Sequence, residues 1–342
     1  MSSPGNDPRP LISDAQRRVS ICPWKNRPLS ALGGIETHDA LLASVGYEPR
    51  SRAIAGALGQ LPAEAVAVEF KAHQTDTYRE SLEWFSTRDF RVNQEWDDAF
   101  LPWLRDWMGG LAAGGDPVRV AVDISSMNRP RIAAVVQVLS ELPPTTRMTV
   151  DFLYAPSHFE QPADLPPGVL SLRPVSSYFT GPLGSQSSPV ALAGLGYEPH
   201  KAPGALESLE IRRVVAYVPV GPHPDFRDAV IEANQGLLGG PEAPQRVEYE
   251  VLDPFDCVMR LDGRVNGLLH LGEVPALVPL GPKIFALSEC IVAAMHHPFV
   301  AVWRASFDTD ERPITRRDEG VVCGITVRLE PALPSAEQQA EK

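Results

Sequence analysis

Short apolar segments alternate with helical segments along almost the whole of this 342-residue chain. DALLASV, EAVAVEF and VRVAVDI are apolar runs of strand length, and a segment of helical period follows each of them. Strands that are apolar on both faces need cover on both faces, which the helices between parallel strands provide. The alternation therefore predicts an α/β protein with mainly parallel sheets.

The alternation is interrupted by a proline-rich connector, after which it resumes. Since crossovers between parallel strands are right-handed, we expect two doubly wound, Rossmann-like units. The predicted divisions are, in chain order, a disordered tail at 1–17, a first unit at 18–155, the connector at 156–189, a second unit at 190–330 and a disordered tail at 331–342. In the first unit we expect Pro102 to break a long aromatic helix in two. In the second unit, VVCGITVRL predicts the last strand.

The tetrapeptide Gly-Tyr-Glu-Pro occurs twice, at residues 46–49 and 196–199, each time directly after a predicted strand. An apolar run precedes each copy, and small and basic residues followed by an Ala/Leu-rich segment come after it. The distance from Gly46 to Arg129 is 83 residues, and the distance from Gly196 to Lys283 is 87. The repeated flanks and the near-equal spacing indicate an internal duplication.

Ligands of open α/β sheets bind at the carboxyl ends of the strands, so the two tetrapeptide turns are candidate binding sites. A glycine there permits a tight turn or close approach of a ligand, and the helix start that follows attracts anions. Glu48 and Glu198 are candidate general bases, but each could instead cap a helix, pair with a nearby cation or accept hydrogen bonds from a nucleoside. The candidate binding residues of these two turns are Gly46, Tyr47, Glu48, Arg50, Arg52, Gly196, Tyr197, Glu198 and Lys201.

Two further strand ends carry a cation at the start of the following helix. In VAVDISSMNRP, hydroxyl, amide and guanidinium groups suited to a phosphate or a ribose come together. In ALVPLGPK, Gly281 and Lys283 occupy the corresponding turn of the second half. Helix capping beside an exposed cation is the structural alternative for both turns. The candidate residues of the first of them are Asp123, Ser125, Ser126, Asn128 and Arg129.

The segment DISSMNRP resembles the D-x-[ST]-x-x-x-[KR]-P turn of CARF domains, the CRISPR-associated Rossmann-fold sensors. The matching residues are Asp123, Ser125, Arg129 and Pro130, whereas Ser126 and Met127 stand where the family commonly has glycines. In the second half Gly281 and Lys283 match the same frame, and Leu277 replaces the Asp.

This resemblance implies a sensor for cyclic oligonucleotides or a related nucleotide second messenger, in prokaryotic antiviral defence. CARF domains bind such ligands across a two-fold dimer interface, and two units in one chain would make a pseudo-symmetric version. A separate effector chain and a homodimer are open as partners.

Composition excludes several other classes. The net charge of −12 disfavours general nucleic-acid binding. The four cysteines form no CxxC pair, so we expect reduced thiols, no metal site and a cytoplasmic location. No apolar run reaches the roughly 18 residues that span a bilayer. The glycine-rich turns of dinucleotide and P-loop sites are missing, and we expect no cofactor.

Two alternatives to a sensor remain at this stage. One is a nucleotide or nucleoside hydrolase or transferase in which Glu48 or Glu198 is the general base and Arg129 stabilises developing charge. The other is a non-catalytic subunit that docks a partner through the Trp-rich helices, which carry Trp84, Trp96, Trp103 and Trp107.

Overall fold

A computed structural model describes residues 9–14, 17–34, 38–70, 75–94, 97–160, 170–182, 189–307 and 316–332. Its strands form two sheets, one of nine strands and one of six, and helices pack against both. Among the described residues, no helix is long and apolar enough to cross a lipid bilayer.

The first sheet has the order β1-β2-β15-β8-β7-β4-β5-β6, and β3 pairs with β15. Its strands are β1 (Arg9–Asp14), β2 (Arg17–Pro23), β3 (Arg27–Pro28), β4 (Ala40–Ser44), β5 (Glu64–Val68), β6 (Arg91–Asn93), β7 (Val118–Asp123), β8 (Met148–Tyr154) and β15 (Val321–Pro331). Its helices are α1 (Ala53–Ala57), α2 (Asp76–Ser86), α3 (Asp97–Ala112) and α4 (Arg129–Glu141).

The second sheet has the order β12-β11-β10-β13-β14-β9. Its strands are β9 (Leu170–Pro174), β10 (Val190–Gly194), β11 (Arg213–Val220), β12 (Gln245–Glu250), β13 (Pro275–Pro279) and β14 (Ala301–Phe307). Its helices are α5 (Lys201–Ser208), α6 (Pro224–Ala233), α7 (Gln235–Leu238), α8 (Pro254–His270) and α9 (Lys283–Met295).

The same parallel core recurs in both sheets. In the first it is β6-β5-β4-β7-β8, and in the second it is β12-β11-β10-β13-β14. Both have the doubly wound strand order 3-2-1-4-5, so the prediction of two Rossmann-like units is confirmed. In each unit the order reverses between the first and fourth strands, where ligands of this fold bind. The internal duplication itself stays a prediction.

The last strand differs from its sequence-based placement. β15 pairs antiparallel with β8 on one side and with β2 on the other, so it belongs to the first sheet and not to the second. The edge of β14 is already paired with β9, which comes from the connector. The free edge of β8 is therefore the place where the apolar β15 is buried between two neighbours.

The predicted N-terminal tail is wrong for residues 9–14, which form β1 and pair with β2. The remainder of the two predicted tails lies mostly outside the described residues, as does much of the connector. The predicted boundaries of the tails, the two units and the connector otherwise stay a prediction.

Pro102 does not divide the aromatic segment. It lies within α3, and the break comes earlier, at β6, which adds to the parallel sheet beside β5. Pro102 is on the exposed side of α3, where water can replace the hydrogen bond that a proline cannot make.

The two units pack through α4 and α9, the helices that follow the fourth strand of each parallel core. Buried side chains of both helices, including Ile132 and Val135 of α4 and Ile284 and Leu287 of α9, belong to one apolar cluster that contains residues of both sheets. Because each helix starts at a switch-point strand end, this packing brings the two switch points together.

Candidate functional site at the junction of the two units

The turns after β7 and β13 exchange hydrogen bonds across the junction. Arg129 Nη2 donates to the carbonyl oxygen of Gly281 at 2.7 Å. Lys283 Nζ donates to the carbonyl oxygen of Ser125 at 2.7 Å. Each cation is the first residue of its helix, so the positions that the sequence spacing matched are equivalent in the two units. The structure thus places a cation from each unit against the turn of the other.

The glycines of these turns allow the backbone of one turn to lie against its neighbour. A Cβ on Gly46 would come within 2.8 Å of the side chain of Ser126, and one on Gly196 would come within 2.8 Å of the carbonyl oxygen of Leu280. In both units the first-strand turn therefore presses against the fourth-strand turn. This contact is a structural reason for the glycine of each Gly-Tyr-Glu-Pro copy.

The first copy of the tetrapeptide holds a buried ion pair. Glu48 accepts a hydrogen bond from Arg50 Nε, and Arg50 Nη1 donates to the carbonyl oxygen of Ala155 at 3.2 Å. The guanidinium lies 5.9 Å from the centre of the Tyr154 ring. Glu48 makes no side-chain helix cap. Arg52 points away from this site, with Nη2 3.7 Å from a carboxylate oxygen of Glu80 on α2.

The second copy differs in local structure. Glu198 pairs with Lys201, whose Nζ lies 2.9 Å from the carboxylate. The helix begins at Lys201, and His200 before it has a left-handed φ of 65°. The Tyr197 ring lies between Phe226 and Arg316, whose guanidinium carbon is 5.0 Å from its centre. The two copies therefore present different groups to the junction.

Three of the five polar candidates after β7 shape the turn itself. Asp123 accepts from the backbone N–H of Ser125, and Ser125 Oγ accepts from the backbone N–H of Ala155, both at 2.9 Å. Asn128 Oδ1 caps α4 by accepting from the backbone N–H of Arg131. The buried Ser126 Oγ has no hydrogen-bond partner among the described residues.

Four cations surround two carboxyl groups at this junction. Burial, with a smaller contribution from the charges of Arg50 and Arg129, lowers the pKa of Lys283 to about 7, although the charges of Glu48 and Asp123 oppose this change. Burial is the larger cause of this lowered pKa, and the positive charges of the two guanidinium groups add to it.

The two carboxyl groups respond in opposite directions. Burial raises the pKa of Asp123 to about 6, although hydrogen bonds from Ser125 oppose the rise. Burial also acts to raise the pKa of Glu48, but Arg50, Lys283 and Arg316 more than offset it, so that pKa is lowered. Glu48 is consequently an anion at neutral pH. The four cations near these two carboxyl groups are Arg50, Arg129, Lys283 and Arg316, and we call them the cation site.

No family model matches the chain, and no curated protein matches it either.

The described residues contain no group of three or more His, Cys, Asp or Glu side chains arranged to hold a metal ion. Sequence reasoning missed Arg316, which lies between β14 and β15 and does not directly follow a strand. It also missed the aromatic residues Tyr154, Phe159, His223 and Phe226, because their position near the junction depends on how the two units pack. No sequence signal at these positions would have identified them.

The depressed pKa of Lys283 gives a testable pH dependence. Between about pH 7, its folded pKa, and its ordinary value of 10.5, the unfolded chain binds more protons at this group, so stability should rise with pH. We expect the free energy of unfolding of the wild type, relative to Lys283→Met, to increase between pH 7 and 9.5. The slope stays below about 1.4 kcal/mol per pH unit, because a single lysine side chain binds at most one proton more in the unfolded chain than in the folded protein.

Urea unfolding of both proteins at several pH values would measure the difference. Groups distant from Lys283 titrate equally in the two proteins, so their contributions cancel. A difference that is constant or falls over this range would contradict the assigned environment of Lys283.

Proposed function

We propose that this chain binds a small phosphorylated nucleotide at the junction of its two Rossmann-like units. The observation that carries the proposal is the reciprocal contact of Arg129 and Lys283 across the junction. It gathers cations of both units at their switch points, where ligands of doubly wound sheets bind. Arg50 and Arg316 add to the same positive field.

A phosphate suits this site on electrostatic grounds. Hydrogen bonds between charged partners contribute about 1.5–3 kcal/mol each. A bound anion would also favour the protonated form of Lys283, whose pKa is lowered partly by Arg50 and Arg129. The overall charge of −12 repels a long polyanion but leaves a small ligand free to enter a local basic site.

The resemblance to CARF domains supports a cyclic oligonucleotide messenger as the ligand and prokaryotic antiviral defence as the setting. In that proposal the pseudo-symmetric junction corresponds to the two-fold interface of the family. Since the two tetrapeptide turns present different groups, the half-sites are not equivalent. An effector would be a separate chain.

The enzyme alternative has less support. A general base at neutral pH needs a pKa near 7, whereas the cations around Glu48 lower its pKa. Glu198 is paired with Lys201 at 2.9 Å. Both carboxylates thus form ion pairs, which fits a role in structure and charge balance better than a role as a general base.

The docking alternative also has less support. Trp107 is buried in the core, and Trp84 and Trp103 are partly buried and pack against the cores. Trp96 lies outside the described residues. The described tryptophans of this segment therefore stabilise the fold and leave no broad aromatic face for a partner.

The proposal predicts that a phosphorylated nucleotide stabilises the protein and that Arg129→Ala removes the effect. Thermal unfolding against nucleotides, including linear and cyclic oligoadenylates, would measure it. A ligand at 100 times its dissociation constant adds about 2.7 kcal/mol to the stability, which is a readily measured shift of the midpoint. Chromatography of the same mixtures would show whether the ligand is cleaved.

Each result has a clear meaning. A shift that survives in Arg129→Ala would contradict the proposed site. Turnover that disappears in Glu48→Gln or Glu198→Gln would replace the sensor with the enzyme alternative. No shift with any nucleotide would overturn the proposal.

A further inference from the structure

Three aromatic side chains border the cation site on the side of the second unit. Phe159 follows β8 of the first unit, and His223 and Phe226 follow β11 of the second. The rings of Phe159 and His223 are stacked, with centres 5.4 Å apart and planes 12° apart. The Phe226 ring lies perpendicular to Phe159, with centres 6.4 Å apart. We call these three residues the aromatic rim.

The aromatic rim adjoins the cation site at the strand ends. The rim and Tyr154 line one small cavity, and the same Tyr154 ring lies 5.9 Å from the guanidinium of Arg50. Pro282, which also lines the cavity, directly precedes Lys283. If the phosphate of a ligand contacts the cations, the group attached to that phosphate therefore lies within reach of the rim.

The rim offers the surface that a nucleobase needs. All three rings are only partly buried, so part of their apolar surface is exposed to solvent. Bases stack on such rings because every base has a π-face, whereas a bare sugar phosphate has none. The rim also lies at the end of β11, the second strand of its unit, beside the turn of the first strand.

Polar groups beside the rim have hydrogen-bonding capacity for a base edge. His223 Nδ1 is buried and makes no hydrogen bond within the described part of the chain, and the carboxylate of Asp225 is 3.7 Å away from it. Glu319 lines the same cavity, and its carboxylate accepts from His158 at 2.8 Å. A carboxylate oxygen here can also accept from an exocyclic amino group.

We propose that the aromatic rim stacks against a purine base of the nucleotide whose phosphate the cation site binds. This inference rests on the proposed function above. The cavity is about 30 Å³, which is too small for a base, so the base lies on the exposed part of the rings and not within the cavity. A purine is favoured over a pyrimidine because its larger π-face covers more of the rim.

The experiment compares two probes that differ only by the base. Calorimetric titration of the full chain with AMP and with ribose 5-phosphate measures both affinities. Stacking of one base contributes enough to make AMP about 5- to 150-fold tighter. Phe159→Ala should lower the affinity for AMP to that for ribose 5-phosphate and leave the affinity for ribose 5-phosphate unchanged. UMP should lie between the two probes.

Phe299→Ala is the matched control, because Phe299 is an exposed phenylalanine that lies just before β14, at the amino ends of the strands and so on the side of the sheet opposite to the rim. It should change neither affinity. His223→Leu provides a second test of the rim if Phe159→Ala unfolds at a lower temperature than the wild type.

The outcomes separate the two proposals. Equal affinities for AMP and ribose 5-phosphate, or an unchanged AMP affinity in Phe159→Ala and His223→Leu, would overturn the assignment of the rim and leave the phosphate site standing. Failure of both probes to bind would overturn the assignment of the rim, and if no nucleotide shifts the unfolding midpoint either, the proposed function falls with it.

Discussion

Lys283→Met should bind a phosphorylated nucleotide roughly 10- to 150-fold more weakly than the wild type at pH 6. This range corresponds to the loss of one charge-assisted hydrogen bond worth about 1.5–3 kcal/mol. At pH 6 the wild-type side chain is charged, since its pKa is about 7. Methionine keeps the length and apolar stem of the side chain but removes the charge.

The loss of nucleotide affinity in Lys283→Met should become smaller as the pH rises. Above about pH 7 the wild-type Lys283 gives up its proton in the absence of ligand, so binding must first restore that proton. Wild-type affinity should therefore fall between pH 6 and 8.5, while that of Lys283→Met stays flatter. Titration calorimetry with the nucleotide found in the thermal screen would measure both curves.

Arg213→Met is the matched control for the loss of one cation. Arg213 lies at the amino end of β11, away from the carboxyl ends where the site lies, and its exposed side chain pairs with Glu273 at 2.6 Å. It changes the net charge by the same amount and should leave the affinity within about twofold of the wild type, since exposed ion pairs act weakly at a distance. Equal losses in the two variants would show that only the overall charge matters.

Gly281→Ala should destabilise the protein by about 3 kcal/mol. A Cβ at this position would overlap the carbonyl oxygen of Leu195, which is backbone and cannot turn aside as a side chain can. The turn after β13 would have to move away from the turn after β10. Because the carbonyl of Gly281 accepts from Arg129, the contact between the units should weaken as well.

Gly267→Ala is the control, because Gly267 lies within α8 and a Cβ there would meet no atom within 4 Å among the described residues. Alanine in an open helix position should stabilise the protein by about 0.5–1 kcal/mol. Urea unfolding of both variants would show opposite signs. A Gly281→Ala protein as stable as the wild type would mean that the two turns do not lie this close together.

The local order of the fold could be predicted from the sequence because burial leaves few alternatives. Apolar runs such as VRVAVDI must be covered on both faces, and right-handed crossovers then restrict the parallel cores to few arrangements. The repeated tetrapeptide and the cations Arg129 and Lys283 could be located at strand ends for the same reason. The sequence left alternatives open for their local environments, and the structure decided among them: Glu48 pairs with Arg50, and Asn128 caps α4.

The pairing of distant elements was decided only by the tertiary structure. The apolar pattern of β15 suits either sheet, and its place beside β8 depends on β9 having taken the edge of β14. The same holds for the site. The packing of α4 on α9 brings Arg129 to Gly281, and it places Arg316 and the aromatic rim beside them. Periodicity shows which face of a helix is buried, but it contains no information on which other face covers it.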